Sequence, residues 1–217
     1  KNVAKKLILK AKIKTADFFV TSPDEHQSET SIPISFPLFI KPVKGGDSRG
    51  IDSNSVAYNF SSFKKKVLEI KDEHNLSSLV ETYLPGKEYS VGIFQDSISG
   101  TLRAMPIEII IKKNKNGHSI LDFKVKKDDE EKVIMVSDSK IFNKLSKLAI
   151  KAFKALGGKS LGRIDIKMNH RGVPHFMEAN LMPGLREGYF YRSCLLNLDM
   201  NYEDMIFNIA NTGLSSN

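Results

Sequence analysis

The 217-residue chain has one cysteine, Cys194, which excludes an internal disulfide and a zinc cluster built on cysteines. Its neighbours Ser193, Leu195 and Leu196 read as an apolar setting for a packed thiol, not for a nucleophile. No stretch approaches the roughly 20 apolar residues that a membrane helix needs, and no secretion signal is visible. The expected compartment is therefore the cytoplasm, with no membrane partner. Internal repeats and low-complexity segments are absent. So are the GxxxxGK[ST] phosphate loop and the glycine fingerprint of dinucleotide-binding folds, which disfavours both architectures. Acids are missing from residues 1–14, where Lys1, Lys5, Lys6, Lys10, Lys12 and Lys14 account for much of a net charge of +8. The spacing predicts a helix over 1–14 with Val3, Leu7 and Ala11 packing inward and the lysines solvated. A basic cleft for phosphorylated small molecules explains the charge as well as a nucleic acid would, and nucleic acid is not the expected partner. The chain starts at Lys1 without a methionine and is expected to be a piece of a longer protein.

What the chain does contain is concentrated in one hairpin. Gly162-Arg-Ile-Asp-Ile-Lys-Met168 alternates, so Arg163, Asp165 and Lys167 share one face and Ile164, Ile166 and Met168 the other. Asn169-His-Arg-Gly172 supplies a turn, and Val173-Pro-His-Phe-Met-Glu-Ala-Asn180 returns with Glu178 and Asn180 on a single face. Pairing of the two strands brings Asp165, Glu178 and Asn180 together beside Arg163. Two carboxylates and an amide suit a hard divalent cation such as Mg2+ and offer nothing soft to zinc or copper. The wet face of an ordinary hairpin is the other reading of the same letters.

Along the chain, a strand is predicted at 16–20, an irregular segment at 21–31 with His26 at the surface, and a buried strand at 36–42 ending in Lys41-Pro42. A glycine-rich loop at 43–50 is followed by a helix over 62–73 capped by Ser61 or Ser62, then a strand at 79–84. Pro85-Gly86 marks the best domain boundary. Strands are predicted at 88–94, 101–111 and 119–125, with turns at 96–100 and 114–117 and a charged, mobile loop at 126–132. Ser137-Asp138 can cap a helix through Leu156 whose Phe142, Leu145, Leu148, Ala149, Ala152 and Phe153 form a core stripe. A final helix is predicted over 202–210, with a fraying tail at 212–217.

Phosphate-handling groups lie near the start. Lys41 closes an apolar strand and is fixed on its far side by Pro42. In Lys44-Gly-Gly-Asp-Ser-Arg-Gly50 the glycines free backbone amides to wrap an anion and Ser48 adds a hydroxyl, although a plain flexible loop has the same glycines. The extended connector Val80-Glu-Thr-Tyr-Leu84 can read an adenine edge through its backbone, and Glu88 can accept ribose hydroxyls or serve as a structural acid.

The ordered set Phe36-Pro-Leu-Phe-Ile-Lys-Pro42, the glycine loop, Val80-Glu-Thr-Tyr-Leu-Pro-Gly-Lys-Glu88, Gly162-Arg-Ile-Asp165 and Glu178-Ala-Asn-Leu-Met-Pro-Gly184 resembles the ATP-grasp superfamily, and within it the D-alanine:D-alanine ligases. The resemblance implies an α+β, ATP-grasp fold of two lobes with nucleotide held between them. Residues 1–84 would form the central lobe with the glycine loop, and 85–217 the C-terminal lobe with the magnesium site and substrate loop. The implied activity is ATP-dependent carboxylate–amine ligation through an acyl phosphate, with ATP and Mg2+ as cofactors and small-molecule carboxylate and amine substrates. The implied roles place Lys41 and Lys126 on the phosphates. Gly45, Gly46 and Ser48 lie in the loop, Glu81, Thr82 and Leu84 at the adenine and Glu88 at the ribose. Asp165, Glu178 and Asn180 would hold the metal, and Arg163 the developing oxyanion. Lys1 or Lys6 would supply a further lysine from the opening helix. The family's N-terminal domain is expected before Lys1, and a homodimer is left open. Two positions depart from the family pattern: Asp47 replaces the first of two loop serines, and Tyr189 stands where a serine receives the second substrate's carboxylate. Both touch substrate recognition, so the resemblance does not name D-alanine. It also leaves a nucleotide-binding regulatory module as the alternative. Arg186 and Arg192 are candidates for pairing with an acidic substrate group.

Overall fold

The structure is a computed structural model that describes every residue except 47, 97–98, 113–130 and 215–217, with only the backbone of Gly213 and Leu214. The chain divides into two compact units. The first comprises Lys1–Val3, Ala16–Pro85 and Ile111–Lys132, of which 111, 112, 131 and 132 are described, and the second Ala4–Thr15, Gly86–Ile110 and Val133–Asn217. A change of unit falls at Pro85-Gly86. The units nevertheless interleave in sequence, whereas the expected division was a single cut between 84 and 85. The predicted strand at 119–125, the turn at 114–117 and Lys126 lie outside the described residues. Among the described residues no helix is long and apolar enough to cross a membrane.

The first unit carries strands β1 (Phe18–Thr21), β2 (Leu38–Pro42), β3 (Val56–Ala57) and β4 (Ser78–Thr82) in the order β1-β4-β2-β3, all antiparallel. Helix α2 (Phe60–His74) packs on one face, where Leu38, Ile40 and Val80 meet Phe63, Val67 and Ile70 in a buried cluster. Three-and-four spacing of those helical residues makes the stripe. The cap is Asn59 and not Ser61 or Ser62. Asn59 Oδ1 accepts from Ser62 N–H at 2.9 Å, and Ser62 Oγ accepts from Asn59 N–H at 3.3 Å, a reciprocal box that satisfies two otherwise orphaned donors. Asn75 ends the helix in the left-handed region at φ 52°.

The second unit is built on a five-stranded sheet in the order β7-β6-β5-β8-β9. Its strands are β5 (Glu88–Gln95), β6 (Leu102–Ile110), β7 (Lys132–Met135), β8 (Leu161–Met168) and β9 (Pro174–Asn180). Helix α1 (Asn2–Lys10) and α3 (Ser139–Ala155) serve one face. There Tyr89, Val91, Ile93, Ile164, Ile166, Met168 and Phe176 bury against Ile8, Leu145, Ala149, Ala152 and Phe153. The other face is partly covered by α4 (Tyr189–Leu198) and α5 (Tyr202–Leu214) through Phe94, Met105, Phe190, Cys194 and Met205. Asp138 caps α3 as expected, its Oδ1 accepting from Lys140 N–H at 2.8 Å and Ile141 N–H at 3.0 Å.

Several elements differ from expectation for identifiable reasons. The helix predicted over 1–14 stops at Lys10 because Lys12 takes φ 55°, and its inward residues are Lys5 and Ile8, leaving Val3 and Leu7 exposed. Lys132, assigned to a charged loop, opens strand β7. The final helix continues to Leu214, and Thr212 is tied by Oγ1 to Gln95 O at 3.2 Å instead of fraying. Helix α4 was not foreseen at all. In the hairpin, Asp165 pairs with Glu178 but Ile166 pairs with Phe176, so Met177 is an extra residue in β9. This bulge lets Phe176 enter the core while Glu178 stays on the opposite face.

Candidate functional site

The polar row of the second unit follows from register. Ser90 lies opposite Asp165 and Gly92 opposite Arg163 across β5 and β8, while Glu178 and Asn180 lie opposite Asp165 and Arg163 across β8 and β9. Directly paired residues share a face. Arg163, Asp165, Glu178 and Asn180 therefore stand together, as the alternation implied. Arg163 forms a fork with Asp165: Nε donates to Oδ1 and Nη2 to Oδ2, each at 2.9 Å. Ser90 Oγ donates to Asp165 Oδ1 at 2.8 Å, and Asn180 Nδ2 to Oδ2 at 3.4 Å. Burial alone would pull the Arg163 guanidinium down. The charge and hydrogen bonds of Asp165, with Glu178 and Tyr189 adding to them, outweigh it and hold the pKa above its ordinary value. The guanidinium also lies 5.5 Å from the ring centroid of Tyr189, the first residue of α4.

The donor chemistry fits Mg2+: oxygen ligands from Asp165, Glu178 and the Asn180 carbonyl lie on one face, with no sulfur or imidazole among them. Among the described residues no cluster of three histidines, cysteines or acids competes as a metal site. An ionised carboxylate has about four lone-pair sites, and Asp165 already receives four donors. The Asn180 contact is the longest of them, at 3.4 Å. Turning that amide over would withdraw one donor from Asp165 and offer Oδ1 in its place, so the set can open to a cation by one side-chain rotation.

Glu88 and Lys167 face each other across β5 and β8, with Lys167 Nζ 2.8 Å from Glu88 Oε2. Any ribose hydroxyl reaching Glu88 would meet a carboxylate oriented by that ammonium. Ser90 was not singled out from sequence, and Lys167 was placed on the face of Arg163 and Asp165 without a role. Both were within reach of the alternation argument, since Glu88, Ser90 and Gly92 share the period that places Arg163, Asp165 and Lys167.

In the first unit Lys41 is buried at 4% exposure and its Nζ sits 2.6 Å from Glu81 Oε2, itself 1% exposed. Phe39 pairs with Glu81 and Lys41 with Leu79, so this ion pair occupies the sheet face away from α2. Lys41 is thus not aimed freely over a strand end. The connector is likewise more enclosed than expected. β4 lies between β1 and β2, and beyond Glu81 the amides of Thr82 and Tyr83 donate to Asp17 O at 2.9 Å and Pro37 O at 3.0 Å. Leu84 lies past those contacts, outside the strand. The loop residues Gly45 and Gly46 are exposed, with open space where a Cβ would stand. Ser48 takes φ 58° and accepts at its carbonyl from Ile51 N–H at 3.0 Å. Of the two lysines considered on the opening helix, Lys1 Nζ donates to Pro42 O at 3.1 Å and Lys6 is exposed. The buried lysine of α1 is Lys5, whose Nζ donates to Thr15 Oγ1 at 2.6 Å. Lys126 lies outside the described residues. Arg186 is exposed and Arg192 half-buried.

The family described as "D-ala D-ala ligase C-terminus" matches residues 8–211. The chain belongs to that family and with it to the ATP-grasp superfamily. It is 25% identical over 219 residues to a D-alanine–D-alanine ligase B of Clostridium perfringens strain 13, covering 99% of this chain and 68% of that protein. Its fold matches that of the ATP-complexed D-alanine–D-alanine ligase of Bacillus anthracis, with TM-score 0.75 and 21% identity over 99% of this chain and 65% of that one. The VanG D-Ala:D-Ser ligase of Enterococcus faecalis matches with TM-score 0.75 and 19% identity over 98% and 60%. The chain therefore spans about two thirds of the length of these relatives, and only half of a ligase from Halothermothrix orenii.

Proposed function

We propose that the chain is the ATP- and magnesium-handling part of a carboxylate–amine ligase. The observation that carries this reading is the cross-strand set of Arg163, Asp165, Glu178 and Asn180, found in a chain that belongs to the D-ala D-ala ligase C-terminus family. In the proposed reaction a substrate carboxylate oxygen bonds to the terminal phosphorus of ATP as the bond to ADP breaks. An amine then attacks the acyl phosphate, loses a proton to solvent and expels phosphate as the amide forms. Mg2+ would be held by Asp165, Glu178 and Asn180 and would offset charge on the transferring phosphoryl group. Lys41, Lys126 and the amides of the glycine loop would bind phosphate oxygens, and Glu88 the ribose. Arg163, held in place by its fork to Asp165, would face the oxyanion of the tetrahedral intermediate at no cost of reorganisation.

The substrates are a small-molecule carboxylate and an amine. Tyr189, in contact with Arg163, argues for an amine substrate other than one whose carboxylate needs a serine at this position. The same contact is what a regulatory module without ligation would tolerate, so both readings go to one experiment. ADP release by the full-length protein is measured across a panel of amino acids and peptides. Amine-dependent turnover supports ligation. Tight binding of MgATP with no turnover rejects it for those pairs and favours the module.

A further inference from the structure

Helix α2 buries a lysine in its apolar stripe. Lys66 is 1% exposed among Phe63, Val67 and Ile70, a position where an apolar side chain would cost nothing and an ammonium costs desolvation unless it is paired. Its partners are Glu69, at 2.5 Å on the same helix, and Asp52, at 2.9 Å and 14 residues earlier in the chain. Asp52 lies just beyond the glycine loop and organises the chain there. Its Oδ1 accepts from Asn54 N–H at 2.8 Å, its own N–H donates to Ser55 Oγ at 3.1 Å, and together these cap the short 3-10 turn Ser53–Ser55.

The loop between its two ends is closed at the neck. Gly50 takes φ 73°, and a Cβ there would lie 2.6 Å from Pro42 Cγ and 2.9 Å from His74 Nε2, so the last loop residue sits directly on the residue that precedes the loop. On the upstream side Val43 N–H donates to Ser77 O at 3.0 Å. One end of the loop is thus tied through the main chain to Ser77, the residue that precedes β4. The other is packed at Gly50 against Pro42 and His74, and is tied to the middle of α2 by the buried ammonium of Lys66 acting on Asp52.

We infer that Lys66 is a positioning residue for the glycine loop: through Asp52 it fixes the loop's downstream end, so that the amides around Gly45, Gly46 and Ser48 are presented to the phosphates of a nucleotide. This rests on the ATP-dependent reading given above. Lys66 touches no substrate and acts only through Asp52. Its removal should therefore weaken binding of the phosphates and leave the nucleoside alone.

The test compares binding of MgATP and of adenosine to the full chain by titration calorimetry, with adenosine read by competition. Lys66→Met keeps the length of the side chain and removes its charge. Asp52→Asn presents an amide NH2 to Lys66 where an acceptor is needed, but it keeps a good capping residue at a half-exposed position and leaves Lys66 paired with Glu69, so the fold is retained. Both variants should bind MgATP about tenfold more weakly, the loss of roughly one well-placed hydrogen bond to phosphate, with adenosine within about twofold of the parent. Glu69→Gln, which disturbs Lys66 without touching the loop, should keep the parental ratio of the two affinities even if its melting temperature falls. A parental ratio in Asp52→Asn and Lys66→Met overturns the inference and leaves the ligase reading standing. A parent chain that binds neither ligand overturns both.

Discussion

Substituting Gly92 by alanine tests how the site face is assembled. Gly92 pairs with Arg163 across β5 and β8, and helix α4 crosses above it. An added Cβ would meet Ser193 Cβ at 2.8 Å, Met105 Cε at 3.2 Å and Ser193 Oγ at 3.2 Å. Carbon atoms pack best about 3.5–4.0 Å apart, so α4 would have to lift by about 1 Å. The methionine end can swing aside, but Ser193 is buried on the inner side of α4 and takes the helix with it. Overpacking of this kind costs about 1–3 kcal/mol. For a chain of this size each kcal/mol lowers the melting temperature by about 2–4 °C, giving an expected fall of roughly 2–12 °C. The displacement also reaches Arg163. Ser193 Oγ donates to Tyr189 O at 2.8 Å, so the turn that carries the tyrosine ring moves with Ser193. The assay is thermal unfolding of Gly92→Ala, Ser193→Gly and the double variant, with the Arg163 Nε–H signal followed by NMR. Ser193→Gly should lose about 0.5 kcal/mol from helix propensity, together with the bond from Ser193 Oγ to Tyr189 O. The double variant should then be more stable than the sum of the two single losses predicts, by at least about 1 kcal/mol. Additive losses, or a Gly92→Ala chain that melts with the parent and leaves the Arg163 signal in place, would refute the argument.

Glu178→Gln should raise the Mg2+ concentration needed for half-maximal ATP binding by about tenfold or more while metal-free ATP binding stays at its parental level, measured by titration with and without chelator. An unchanged Mg2+ dependence would remove Glu178 from the proposed ligand set. Burial pushes the Cys194 thiol from 9.0 to about 12, so the folded chain keeps its proton while the unfolded chain releases it. Stability from this group is full below pH 9 and is lost as pH rises towards 12. Between pH 8 and 10, Cys194→Ala should therefore lose about 1.4 kcal/mol less unfolding free energy than the parent by urea titration, and a native chain should resist thiol reagents that label it in urea. Asn59→Ala removes the capping box of α2 and should cost about 1 kcal/mol, with Asn59→Ser nearly neutral; equal losses in the two would mean that the cap is not what is being measured.

The hairpin was legible because alternation is a two-residue code and its polar members stand out against isoleucine and methionine. What it could not reveal was the partner of each residue. Lys41 reads as a phosphate ligand from its place before Pro42, but Glu81 becomes its partner only when β2 and β4 pair, 40 residues apart in sequence. Lys66 was invisible for the same reason, because a lysine in Phe63-Lys-Lys-Lys-Val67 looks solvated until Asp52 is brought against it. Helix α4 has a glycine at its cap with no side-chain bond, and so no start signal to read. In α1, the inward position of Lys5 is set by Thr15 and the carbonyl of Phe176, a residue far away in the chain, and no spacing rule within the helix favours it over Leu7.

The extra residue at Met177 makes the hairpin tolerant of a change in length in one direction only. Phe176 and Glu178 lie on opposite faces because Met177 is left without a partner between them. Deleting Met177 would make the two residues neighbours in a regular strand, and the pairs Ile166–Phe176 and Asp165–Glu178 would both survive. A residue inserted into β8 between Asp165 and Ile166 would do the reverse. It would give Met177 a partner, bring Phe176 and Glu178 onto one face and so set the core against the polar row. One residue fewer in β9 costs a local twist, whereas one more in β8 exchanges the chemistry for the core.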